Sequence, residues 1–139
     1  MQTLRNKSIL IIDDDAGMRR ALDKVLTGEG AVVTCANCVG GGVAILIGRQ
    51  TGIDLVITDL RMPPASGLGA LQAIRQFLPA LPVIVLTAFG TPDIRAECLR
   101  LGASAFLEKP LDTPQLLNII EGVCRGGADA KSEPVSSNG

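Results

Sequence analysis

Five short apolar runs, at Ser8–Ile12, Ala31–Cys35, Leu55–Thr58, Pro82–Leu86 and Ala103–Leu107, constrain this chain more than any other feature. Runs that are apolar almost throughout suit strands buried on both faces, as in a parallel sheet covered by helices above and below. The segments between them are long enough for the crossovers that parallel neighbours require, and most carry a helical period. Leu22, Val25 and Leu26 form an inward stripe on a first helix over about Ala16 to Thr27, as do Leu71, Ile74 and Phe77 on a helix over Leu68 to Leu78. The last helix, Pro114 to Cys124, places Leu116, Leu117, Ile119, Ile120, Val123 and Cys124 on one side, with Thr113 expected as its N-cap. Thr91 followed by Pro92 repeats that start ahead of Asp93 to Leu101, and Gly102 supplies the stop.

The second crossover differs. Gly40, Gly41 and Gly42 in succession would cost a helix about 3 kcal/mol relative to alanines, so a short, late helix from Val43 to about Arg49 is expected after a loose edge connection. No Lys-Ser/Thr pair follows the glycines, which removes the case for a phosphate-cradling loop. Strands alternating with helices imply a doubly wound α/β fold; a five-stranded parallel sheet in the flavodoxin-like order 2-1-3-4-5, with helices on both faces, is expected. Residues 1–125 make one domain, and residues 126–139, GGADAKSEPVSSNG, read as a flexible tail or linker stub because they lack an apolar pattern.

Composition narrows the chemistry. The chain has no histidine, which removes Ser/His/Asp and Cys/His catalysis and leaves carboxylates as the main reactive groups. A net charge of −1 without Trp or Tyr argues against direct binding of nucleic acid. No apolar run approaches the ~20 residues of a membrane span, and Met1 to Ser8 lacks the features of a secretory signal, so a cytoplasmic protein is expected. Its four cysteines are then expected as free thiols, and the C-x-x-C of Cys35 and Cys38 as incidental, since no histidine completes a metal set.

Asp13 follows the first run, Asp59 the third, Thr87 the fourth, and Lys109 the fifth. In a parallel sheet these ends share one edge, and ligands bind there where the strand order reverses, between the first and third strands. Asp13, Asp14 and Asp59 therefore face one another and call for a cation. Mg²⁺ suits such a pocket, with Mn²⁺ as an alternative, because it takes one or two carboxylates and keeps several waters. Asp14 and Asp59 are the expected direct ligands, with Asp13 acting through water and the Arg61 carbonyl adding an oxygen. Beside a metal, Asp59 can act as a nucleophile toward phosphorus. Lys109 can neutralise phosphoryl oxygens, at about 4 kcal/mol for charges ~4 Å apart before desolvation is subtracted. The Thr87 hydroxyl can bond the added group.

Taken singly, each residue has an ordinary explanation: Asp13 to Asp15 as a helix cap, Asp59 as a turn residue, Phe106 as core. Their convergence on one edge reverses that. In IIDDD, TDLRMP, LTA and FLEKP, in this order over about Lys7 to Cys124, the chain resembles response-regulator receiver domains of two-component signalling. The resemblance implies phosphorylation of Asp59 by a histidine kinase or histidine phosphotransfer protein. It also implies movement of Thr87 and an inward swing of Phe106, which remodel the face of the fourth helix, fifth strand and fifth helix. That face would contact a downstream effector domain or protein, or pair two copies. A cis Lys109–Pro110 bond is implied too. The glycine triplet, and MPPASG after the phosphoacceptor in place of MPGMDG, depart from the usual pattern. Two other readings compete. Asp13 and Asp15 have the D-x-D spacing of haloacid-dehalogenase-type phosphatases, with Asp13 as nucleophile, although Gly17 stands where that motif has Thr or Val. A pseudo-receiver that binds without phosphorylation is the third reading, disfavoured because every site residue is present.

Overall fold

The computed structural model describes residues 3–48, 52–60, 67–88 and 90–125. Its strands are β1 (Ser8–Ile12), β2 (Val32–Ala36), β3 (Leu55–Thr58), β4 (Val83–Thr87) and β5 (Ala105–Glu108). Between and after them run α1 (Ala16–Gly28), α2 (Val39–Gly48), α3 (Gly67–Phe77), α4 (Pro92–Arg100) and α5 (Thr113–Arg125). All strand pairs are parallel, in the order β2-β1-β3-β4-β5, as the apolar runs imply. The strands run one or two residues later than expected at β2, β4 and β5.

Strand side chains alternate between two apolar layers. Ile9, Ile11, Leu55, Ile57, Ile84 and Leu86 pack under α1 and α5, against Leu22, Leu26, Leu116, Ile120 and Val123. Leu10, Ile12, Val56, Val83 and Val85 pack under α2, α3 and α4, against Leu46, Leu71, Ile74 and Cys98. Each of the three inner strands is thus buried on both sides, which is why its sequence shows no polar alternation.

Local chemistry sets the helix ends. Asp15 caps α1, its carboxylate accepting from the Gly17 amide at 2.9 Å. Thr91 caps α4, accepting from the Ile94 amide at 3.1 Å. Beyond α4, Gly102 adopts φ +105°, as a helix stop requires. Thr113 is not the cap of α5. It is the first helical residue, and the Asp112 carboxylate accepts from the Gln115 amide at 3.0 Å, because a carboxylate one residue earlier is the better-placed acceptor.

Two further expectations fail. α2 begins at Val39 and takes in all three glycines. Gly42 is buried against β1, where a Cβ would stand 2.7 Å from Ile12 Cγ1, so close packing outweighs the glycine propensity cost. Phe77 is not inward but 73 % exposed. At 3.6 residues per turn, Leu78 falls about 20° from Leu71 and Phe77 about 120° away, and the half-buried Leu78 completes the stripe.

Arg75 ties the ends of α3 and α4 together. Its Nη1 donates to the carbonyls of Leu78 (3.3 Å), Pro79 (2.8 Å) and Leu81 (2.8 Å), and Nη2 donates to Gly102 (2.9 Å). All four cysteines are free, and the Cys38 sulfur accepts from the Gly41 amide at 3.3 Å inside the α2 start. No described helix is long and apolar enough to cross a membrane. Residues 126–139 lie outside the described residues.

Candidate functional site: a buried carboxylate pair bridged by lysine

The register of β1 with β3 pairs Ile12 with Thr58, so the residues that follow, Asp13 and Asp59, leave the sheet side by side. Their backbones continue the ladder: the Asp13 amide donates to Ala36 at 3.1 Å and the Asp59 amide to Ile12 at 3.0 Å. Both side chains are buried, at 2 % and 6 % exposure. Two like charges so placed repel and lose hydration, and Lys109 answers both costs. Its ammonium donates to Asp13 Oδ2 at 3.0 Å and to Asp59 Oδ2 at 2.8 Å. The Lys109 amide in turn donates to the Thr87 carbonyl at 2.8 Å, fixing the lysine to the end of β4, and the Lys109–Pro110 bond is cis.

The remaining carboxylate oxygens are held by backbone amides. Asp13 Oδ1 accepts from Asp15 at 2.9 Å, and Asp59 Oδ1 accepts from Leu60 at 2.6 Å. Arg19 reaches back from α1 to donate to the Asp13 carbonyl at 2.8 Å. These three supports escape sequence reasoning, because backbone donors leave no mark in a residue pattern and Arg19 is one basic residue among several.

Electrostatics follow from this packing. Burial raises the Asp13 carboxyl above its ordinary value, against the Asp15 amide and Lys109, and the charge of Asp59 adds to the rise. Burial alone would lower Lys109, but its bonds to Asp59 and Asp13 and their charges outweigh that, and the net shift is upward. Two carboxylates and one ammonium sum to one uncompensated negative charge, before Asp14 at the exposed rim is added. The donor set is all oxygen and has room for positive charge, which fits a hard divalent cation. Among the described residues no three acidic or thiol groups stand together as a closed metal cage, so such a cation would keep much of its water.

The structure therefore brings Asp13, Asp59 and Lys109 into direct contact, with Thr87 fully buried next to them on β4. Asp14 is exposed and outside the lysine bridge. Arg61 lies outside the described residues. Phe106 is buried at 7 % exposure, with its ring over Gly90, where a Cβ would stand 2.9 Å from two ring carbons. Outside the ring a cavity opens between α4, β5 and α5, lined by Thr91, Arg95, Glu108 and Gln115 among others. Asp15 turns away to cap α1.

Known proteins match this chain in sequence and in fold. The family model described as response regulator receiver domain covers residues 9–121. Transcriptional regulatory protein GlrR of Escherichia coli strain K12 is 34% identical over 125 residues, 90% of this chain and 28% of that protein. The chain thus spans about a quarter of the length of the curated relatives it matches. A receiver domain protein of Clostridium thermocellum superposes with a TM-score of 0.79 at 32% identity, covering 85% of this chain and 93% of that one. CheY in the CheX–CheY–BeF3–Mg²⁺ complex of Borrelia burgdorferi gives a TM-score of 0.83 at 29% identity, covering 86% and 90%. Matched by sequence across nearly all of its ordered elements and by fold over the same span, the chain belongs to the response regulator receiver domain family.

Proposed function

We propose that this receiver domain accepts a phosphoryl group on Asp59 from a histidine kinase or histidine phosphotransfer protein and thereby changes its partner-binding face. The observation that carries the reading is the ammonium of Lys109 bridging Asp13 and Asp59 at the switch point of the sheet. A carboxylate oxygen of Asp59 attacks phosphorus: an O–P bond forms, the N–P bond of the donor phosphohistidine breaks, and the imidazole leaves with the electron pair. Lys109, already 2.8 Å from that carboxylate, is placed to neutralise charge on the transferred group.

Asp13, Asp14 and Asp59 would hold Mg²⁺, with Arg61 offering its carbonyl. Bound there, the ion would supply charge neutralisation for phosphoryl oxygens. The Borrelia neighbour, solved with BeF3 and Mg²⁺, supports that choice of ion. Thr87 gives its hydroxyl to the new phosphoryl group, and Phe106 follows it on the same sheet edge, altering the cavity between α4, β5 and α5 that a downstream effector would contact. The relatives named as transcriptional regulators support a transcriptional output, in the same chain or in another; a cytoplasmic location is part of the same proposal. The phosphatase reading needed Asp15 in the pocket, and its place as a helix cap counts against it. Residues 1–125 form the switch unit and residues 126–139 a linker or tail.

Intact-mass measurement after incubation with acetyl phosphate and Mg²⁺ tests this. One added phosphoryl group is expected, prevented when the metal is chelated before the donor is added and absent from Asp59→Asn. Labelling that persists in Asp59→Asn overturns the assignment.

A further inference from the structure

Asp14 differs from the other acidic residues of the pocket in having no side-chain partner to aim it. Asp13 and Asp59 are buried and bonded to Lys109, whereas the Asp14 carboxylate is exposed and makes no bond among the described residues. Its direction is set by the backbone, through the two peptide planes on either side of its Cα.

The plane after Asp14 is anchored through its N–H, since the Asp15 amide donates to Asp13 Oδ1 at 2.9 Å. The plane before it is anchored through its carbonyl. That carbonyl, of Asp13, leaves the sheet on the β2 side, where the Asp13 amide donates to Ala36, but β2 ends at Ala36 and offers no further strand amide. Arg19 Nη1 donates to it instead, at 2.8 Å. The arginine is itself fixed at its backbone, because its amide donates to the Asp15 carbonyl at 3.0 Å in the first turn of α1. Bonds among residues 13, 15 and 19 thus close a ring around Asp14.

An arginine on a surface helix ordinarily has another partner. Asp23 stands one turn further along α1, at the i,i+4 spacing of a helical ion pair, yet among the described residues no carboxylate lies within salt-bridge distance of Arg19. The half-buried arginine lines a recess between α1, the end of β2 and α2, and the other lining residues, Cys35, Ala36, Asn37, Gly41 and Ile45, bring no acidic group to it.

We propose, on the reading that this pocket binds Mg²⁺, that Arg19 is a positioning residue for the ion: by holding the peptide plane between Asp13 and Asp14, it aims the Asp14 carboxylate into the site. Charge alone predicts the opposite effect, because removing one cation from beside an acidic pocket tightens the binding of another. Positioning and electrostatics therefore differ in sign. Groups that orient metal ligands typically contribute about 10- to 100-fold in affinity, and Arg19, acting through the backbone on one ligand, belongs at the lower end.

Calorimetric titration of Mg²⁺ into the 139-residue protein, without phosphodonor, tests this. Arg19→Met keeps the aliphatic stem and removes both donor and charge, and should weaken Mg²⁺ binding about 10-fold. Arg19→Lys, which restores a donor, should recover part of the loss. Arg20→Met, the same loss of charge at an exposed neighbour, should leave the affinity unchanged or tighter. Arg19→Met binding as tightly as the unmutated protein, Arg19→Lys no better than Arg19→Met, or equal weakening in Arg20→Met each overturns the proposal. The unmutated, metal-free protein gives a second readout free of folding effects: the Arg19 guanidinium should show separate, slowly rotating NH2 signals in NMR, and free rotation overturns the proposal. An unmutated protein that takes up no Mg²⁺ would overturn the metal site itself, and this inference with it.

Discussion

Lys109 holds its proton more tightly in the folded chain than in the unfolded one, because Asp59 and Asp13 outweigh the cost of burial. Its stabilising contribution is therefore complete below pH 10.5, its unfolded value, and is lost as pH rises through the folded value. Urea unfolding across that range should show an alkaline loss of stability that Lys109→Gln lacks. Asp13 is also raised, chiefly by burial, so its contribution is complete below pH 3.8 and falls as pH rises through its folded value. The pocket thus folds with an electrostatic debt at neutral pH that a bound cation would reduce. At this scale the sequence named the interacting side chains well, since Asp13 and Asp59 follow the adjacent strands β1 and β3 and Lys109 follows β5 on the same edge of the sheet. The exposed position of Asp14 was not readable, because adjacent residues at a strand end diverge by backbone torsions that residue types do not encode.

Among the helices, α2 separates propensity from packing. A Cβ at Gly42 would overlap Ile12, whereas one at Gly40 would meet nothing within 4 Å. Gly40→Ala should therefore stabilise the protein by about 0.5–1 kcal/mol through helix propensity alone. Gly42→Ala should destabilise it by about 1–3 kcal/mol, with Ile12→Val in the same chain recovering part of the loss. Chemical denaturation of the variants checks both signs, and equal effects at the two positions would mean that Ile12 yields freely. Propensity counted the three glycines as equivalent costs, and only the approach of α2 to β1 distinguishes them. The five strands and the other four helices were readable because burial on both faces, or on one stripe, leaves a periodic record. The cap of α5 was not, since Asp112 and Thr113 are both good caps and only the turn geometry chooses.

For the molecule as a whole, the two apolar layers divide the helices unequally: α1 and α5 close one side, and α2, α3 and α4 the other. Within the second side, Arg75 joins the last turn of α3 to the Gly102 carbonyl just past α4. Arg75→Ala should cost about 2–3 kcal/mol, since three part-buried carbonyls and one exposed carbonyl lose a charged donor. It should also speed hydrogen exchange at the C-terminal turn of α4 more than at its first turn, and uniform acceleration along the helix would count against a local tie. The far end of α4 is moored by that guanidinium and by the buried Cys98, while its near end is capped from within by Thr91 and packs only through the half-buried Ile94. Any displacement begun at the pocket must then swing α4 like a door on its hinge, with the widest travel at Thr91 and almost none at Gly102.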